Sequence, residues 1–206
     1  MAQAAPAITY TLQKEGGFSK NPNDSGNWYN GELLGTNWGI SAPVARESGY
    51  MGRMEDMTQA QAIAIYQNKY WKFDGVNDQA VATKIFDGYV NMGGNAIKIL
   101  QRTLNTLVDP PVAVDGGYGP DTEDAVNAAD PASLLSALAA GYGDYYRALA
   151  ASKPQDQGFL KGWLKRAEDL PGQIVEEVEA HPGFSAGGFL LLLGIGLGSW
   201  LFFGQH

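Results

Sequence analysis

Between Lys14 and Ile40 the chain carries Gly16-Gly17, the run Asn21-Pro22-Asn23-Asp24-Ser25-Gly26, and then Gly35 and Gly39. A helix does not survive that density of breakers, so this stretch must turn back on itself in short extended pieces. The segments around it have a different period. Ile8 and Leu12 precede it, and Val81, Ile85, Phe86, Tyr89 and Val90 recur after it at helical spacing. The pattern predicts a mostly helical fold with one β-hairpin between Phe18 and Ile40.

Glu15 closes the first helical segment. The two glycines after it read as a helix stop, because glycine tolerates the left-handed conformation that ends helices. The hairpin would then swing Asp24 and Thr36 back toward Glu15. Two carboxyl groups in unlike surroundings, one beside apolar residues and one in a wet turn, suit glycoside hydrolysis. One must be protonated to give its proton to the leaving oxygen, and the other ionised to hold water or the developing positive charge. The plainer reading makes Glu15 a solvated helix end and Asp24 a turn former.

Glu15-Gly16-Gly17, the Pro22-to-Gly26 turn and Thr36-Asn37-Trp38-Gly39-Ile40-Ser41 resemble the opening of glycoside hydrolase family 108, the N-acetylmuramidase-like phage endolysins. Glu15, Asp24 and a following Thr also resemble the Glu/Asp/Thr triad of phage-type lysozymes. The resemblance implies catalytic roles for Glu15, Asp24 and Thr36. The link from Ser25 to Gly35 is longer than the family's. Its Trp28 and Tyr29 are candidates to stack on a sugar, or to pin the hairpin. Asn37 joins them as a candidate substrate contact.

Composition removes other chemistries. Apolar content of 45% and charged content of 17% fit a chain with a real core. There is no cysteine, hence no thiolate chemistry, and the two histidines, His181 and His206, stand near the C-terminus. No metal site or cofactor is expected. A net charge of −8 without a basic run argues against nucleic acid as a partner, and mildly against electrostatic steering to an anionic wall. Met1 to Pro6 lacks the pattern of a conventional signal peptide.

The rest reads as helices. One begins near Pro6, Ser41 caps another, and Thr58 with Gln61 forms a capping box. A helix over 79–91 ends at Gly93-Gly94, and Ile97, Leu100, Leu104 and Leu107 stripe the next. Asp87 and Asn91 share a face; Asn91 reads as a sugar contact or as a backbone partner at the glycine break, and Asp87 as structural. Asp115-Gly116-Gly117-Tyr118-Gly119-Pro120-Asp121-Thr122 lacks the Lys-Ser/Thr of a phosphate loop. It reads as a capped turn, with Asp121 and Thr122 as caps. It also resembles the turn of the predicted peptidoglycan-binding region that follows the family's catalytic half. Gly158-Phe159-Leu160-Lys161-Gly162-Trp163 resembles the family's C-terminal signature.

Residues 187–204 are uncharged and almost wholly apolar. At ~1.5 Å per residue they would span ~27 Å as a helix. A transmembrane helix over 186–204 after a linker at 171–185 is therefore expected. Gly194 and Gly198 are placed for helix–helix self-association.

The expectation is thus an α+β, lysozyme-like helical bundle with a hairpin lobe. Residues 1–108 would form the catalytic domain, and 109–170 a helical peptidoglycan-binding extension. Its partners would be peptidoglycan glycan strands and, through the tail, a lipid membrane. As a single-pass membrane-associated protein it would sit in a virion or the host inner membrane, acting on periplasmic peptidoglycan. The reaction expected is cleavage of the β-1,4 bond between N-acetylmuramic acid and N-acetylglucosamine. The alternatives are a lytic transglycosylase, a non-catalytic wall-binding or virion structural protein, and action on chitin-like polymers.

Overall fold

The computed structural model describes residues 1–171 and is mostly helical, with two small β-hairpins. Helix α1 (Ala4–Leu12) starts two residues before Pro6, which sits in its first turns. It ends at Leu12, so Gln13 to Glu15 form turns rather than helix. Gly16 and Gly17 are absent from the positive-φ residues, so the helix stops without the expected left-handed glycine.

Two hairpins replace the single one expected. Strands β1 (Trp28–Tyr29) and β2 (Glu32–Leu33) flank Asn30-Gly31, and β3 (Thr36–Asn37) and β4 (Ile40–Ser41) flank Trp38-Gly39. All four turn residues have positive φ. That is the signature of two-residue turns whose twist matches that of the flanking strands. A bridge between Ser19 and Thr36 ties the second hairpin to the loop that follows Glu15.

Helices α2 (Ala42–Glu47), α3 (Gln59–Lys69), α4 (Gln79–Met92) and α5 (Gly94–Leu104) follow. The capping box forms as read: Thr58 accepts from the Gln61 backbone and Gln61 returns a bond to Thr58. Asp78 caps α4 through the Val81 N–H, and Gly93 at φ 56° separates α4 from α5. Helices α6 (Pro120–Ala128), α7 (Pro131–Ser152) and α8 (Leu160–Glu168) complete the body. α6 is preceded by Gly119 and not by a side-chain cap; Thr122 is instead buried against Gln101.

One continuous apolar core runs from Ala2 to Ala167. Its centre is α4, where Ile85 and Phe86 are wholly buried. Each large apolar side chain buried this way contributes about 1.5–3 kcal/mol. Phe73 and Trp71 pack their rings on Phe86, and Tyr118 packs edge-on to Phe73 with centroids 4.8 Å apart.

The expected transmembrane helix is corrected here, and with it the membrane partner and the membrane-associated localisation. Among the described residues no helix is long and apolar enough to cross a membrane. The one of sufficient length, α7 at 22 residues, carries Asp144 and Arg147 and packs one face into the core. Segment 186–204, with Gly194 and Gly198, lies outside the described residues.

Candidate active site

Glu15 stands on the loop leaving α1, and its side chain is 15% exposed. Its Oε1 accepts from Arg166 Nη2 at 2.9 Å. Arg166 comes from α8, 151 residues away. The same guanidinium grips Asp87 on α4, through Nη2 at 2.8 Å and Nε at 3.1 Å. Asp87 Oδ1 also accepts from Thr11 Oγ1 at 3.1 Å, and Lys14 Nζ lies 3.9 Å from Oδ2. Burial alone would raise the Asp87 carboxyl, but Arg166 and Lys14 outweigh it and hold it below the ordinary carboxylate range. Burial opposes charge on Arg166 too, yet Asp87 and Glu15 push its protonation still higher. Asp87 and Arg166 thus form a buried ion pair that also bonds Glu15.

The other side of Glu15 is formed by the β3–β4 turn. Gly39 has φ 74°, and a Cβ built there would lie 2.8 Å from Glu15 Oε2 and 2.5 Å from the Tyr66 hydroxyl. Only glycine lets the backbone approach so closely. Trp38, a bulky residue at φ 53°, holds the first turn position. It is pinned by its Nε1 donating to the Met57 carbonyl at 2.8 Å and by Tyr66 donating to its own carbonyl at 3.1 Å. Backbone strain maintained by specific bonds is a feature of functional sites. Burial first, then the Glu15 charge, drives the Tyr66 phenol well above its ordinary range, so it acts as a donor. Among the described residues no group donates to Glu15 Oε2.

Asp24 is 6% exposed and so is not a solvated turn carboxylate. Its Oδ1 accepts from Gly26 N at 2.9 Å, closing a 3-10 turn over Ser25–Asn27. Its Oδ2 is buried and has no hydrogen-bond partner among the described residues, and the same holds for Asn27 Oδ1. Buried polar atoms are nearly always satisfied, so an unpartnered carboxylate oxygen points to a role with a ligand or water. Thr36 is fully buried, and its hydroxyl donates to the Gly26 carbonyl at 3.5 Å. Asp24 and Thr36 are therefore brought together around Gly26, while the hairpin carrying Thr36 sets Gly39 against Glu15.

The expected sugar contacts are more varied. Trp28 is 39% exposed and its Nε1 donates to the Pro22 carbonyl, which fixes the ring on the surface. Tyr29 is half-buried against the core. Asn37 donates to the Met54 carbonyl at 2.8 Å, and Asn91 to the Asp87 carbonyl at 2.8 Å. Asn37 is 5% exposed, and both amide nitrogens are engaged by backbone carbonyls. Arg166, Tyr66 and Gly39 were not singled out from the sequence. For Arg166 the available signal was a basic residue within an otherwise amphipathic C-terminal signature; nothing there named its partner.

At the Gly-rich turn, buried Gln101 donates to Asp115 Oδ1 at 2.8 Å and to the Gly117 carbonyl at 2.9 Å, and accepts from Gly116 N. The turn is closed by Gln101 and not by the Asp121 and Thr122 caps expected from the sequence. A cavity of about 280 Å³ beside it is lined by Gln101, Val112, Tyr118 and Asp121 and includes none of the three catalytic candidates. Chemistry, not concavity, places the candidate site at Glu15.

The family model described as Glycosyl hydrolase 108 matches residues 8–93, and that described as Predicted Peptidoglycan domain matches residues 95–168. A solved structure of Brucella abortus SagA is similar in fold, with a TM-score of 0.62 at 24% identity, covering 89% of this chain and 97% of that one. No curated protein matches the sequence.

Proposed function

We propose that this chain, which belongs to glycosyl hydrolase family 108 over residues 8–93 and continues into a predicted peptidoglycan domain over 95–168, is a peptidoglycan hydrolase of the N-acetylmuramidase type. It cleaves the β-1,4 bond between N-acetylmuramic acid and N-acetylglucosamine. Residues 1–108 supply the reacting groups, and 109–170 form the wall-binding extension. The observation that carries the reading is the split environment of Glu15: Oε1 is tied to Arg166, while Oε2 faces the Gly39 turn with no donor among the described residues.

With Oε1 occupied by a cationic donor, the transferable proton resides on Oε2. Glu15 gives it to the glycosidic oxygen as that bond breaks. Asp24 Oδ2, unpartnered and inside the hairpin region, accepts a proton from the attacking water or faces the oxocarbenium charge. Thr36, which shares Gly26 with Asp24 as a hydrogen-bond partner, orients that water. Trp28 offers an apolar ring to a sugar face, with Tyr29, Asn37 and Asn91 as further contacts. The reading favours inversion, with attack from the face opposite the leaving group. The chemistry proposed uses side chains alone.

Glu15→Gln tests it on purified sacculi, with released fragments reduced by borohydride and identified by mass spectrometry. A general acid contributes on the order of 10²–10⁴-fold, so release should fall by about that factor while circular dichroism stays native. Reduced muramic acid ends from the parent protein support the muramidase. Anhydro-muramic ends, with activity surviving Asp24→Ala, would move the assignment to a transglycosylase. An unchanged rate in Glu15→Gln would remove Glu15 from the chemistry.

A further inference from the structure

We propose that Arg166, carried by α8 in the predicted peptidoglycan segment, is a positioning residue for Glu15, so that the C-terminal segment completes the active site as well as contacting wall. The inference rests on the reading of Glu15 as the acid.

The loop that bears Glu15 cannot aim it alone. Gly16 and Gly17 follow at once, and an added Cβ at either would meet nothing within 4 Å. The loop backbone is tied at Glu15 N to the Leu12 carbonyl and at Ser19 to Thr36, which leaves the Glu15 side chain to be aimed by other groups. That side chain is held from its two ends. Arg166 fixes Oε1, and the close approach of Gly39 limits where Oε2 can go.

Arg166 is itself anchored twice. Its guanidinium forms a two-point fork on Asp87, which sets the plane of the group. The α8 backbone is anchored by Lys84, which lies one turn before Asp87 on α4. Lys84 Nζ donates to the carbonyls of Arg166 at 3.2 Å, Ala167 at 2.6 Å and Asp169 at 2.8 Å. These acceptors stand at the end of α8, where carbonyls have no helical partner. Trp163, one turn earlier, stacks on Tyr146 of α7 with centroids 5.4 Å apart. Helix α4 therefore grips α8 by side chain and by backbone, and Nη2, which bonds Asp87 Oδ1, also reaches outward to Glu15 Oε1. A residue serving solely to neutralise Asp87 would not need that second bond.

Arg166→Lys and Arg166→Ala in the full chain test this, with kcat and KM measured on solubilised glycan strands. Lysine keeps the cation but presents a point charge that serves Asp87 or Glu15, not both. Misplacing a catalytic group by about 1 Å costs on the order of 10²-fold. Arg166→Ala should therefore lose about 10²-fold in kcat, and Arg166→Lys about 10-fold, with KM within about twofold. Guanidinium ion at non-denaturing concentration should restore kcat in Arg166→Ala. A folded Arg166→Lys protein with parental kcat would overturn the proposal. So would losses that follow the unfolded fraction and show no guanidinium rescue. If Arg166→Ala does not fold, the folded Arg166→Lys protein decides. Glu15→Gln run alongside separates the two ideas: retained activity there sinks the acid assignment, whereas a dead Glu15→Gln beside a fully active Arg166→Lys sinks only this one.

Discussion

At the scale of single residues the buried charges decide how this protein responds to pH. Lys84 is almost completely buried, and burial outweighs the pull of Asp87 to bring its ammonium down to about 8. In the unfolded chain it returns to the ordinary 10.5. Between those values the unfolded state binds more protons, so stability rises with pH across that window. Above it the buried phenols of Tyr10, Tyr66 and Tyr142, all raised chiefly by burial, oppose further gain. Urea melts at intervals from pH 7 to 10 should show the rise in the parent and a flat profile in Lys84→Met. Asp87 has the same sense in a lower window. Its carboxyl is held low, so its contribution is present above the usual range near 4 and is lost as pH falls through its folded value. Asp87→Asn should flatten the acid limb and cost about 3–5 kcal/mol at neutral pH, because it strands Arg166 in the interior. The sequence placed Asp87 on a helix face and read it as structural. It gave no hint of the partner, because ion pairs between distant segments leave no periodicity to read.

At the scale of elements the two hairpin turns are a matched pair with different duties. Gly31 has φ 81° and Gly39 φ 74°, so alanine is strained equally at both. An added Cβ at Gly31 meets nothing within 4 Å, whereas at Gly39 it collides with Glu15 and Tyr66. Gly31→Ala should therefore cost about 1–2 kcal/mol of stability from backbone strain alone, and leave kcat unchanged. Gly39→Ala should cost at least as much and lower kcat by about 10–100-fold through displacement of the acid. Thermal melts and initial rates on sacculi check both; equal rates in the two variants would detach the turn from catalysis. Helices were the more legible elements. The 79–91 stripe and the Thr58–Gln61 box translate almost residue for residue into α4 and the start of α3. The Trp38-Gly39 turn did not read as a turn, since tryptophan seldom takes positive φ. Met57 and Tyr66, neither adjacent in sequence, hold it there.

At the scale of the whole molecule, what was legible in the sequence is what is local. Glu15, Asp24 and Thr36 fall within one short stretch, and breakers plus the family pattern brought them out together. The hairpins then gather Asp24 and Thr36 at Gly26. Arg166 reaches Glu15 and Asp87 from the far end of the described chain, which only tertiary structure reveals. Composition also suggested a membrane helix over 186–204, which lies outside the described residues; no described helix has that character. The two family segments meet at Gly93-Gly94, yet α4 packs against α1, α5 and α7, and a single core crosses the junction. Their charges are shared too, since Lys84 and Asp87 belong to the first segment and their partners to the second. Neither segment closes its core without the other. Heating should therefore give one cooperative transition, with calorimetric and van't Hoff enthalpies equal, rather than two. Asp87→Asn should shift that transition as a whole to lower temperature without splitting it. Two resolved transitions, only one of which moves in Asp87→Asn, would mean that the segments are stable independently and that the ion cluster joins units that already fold alone.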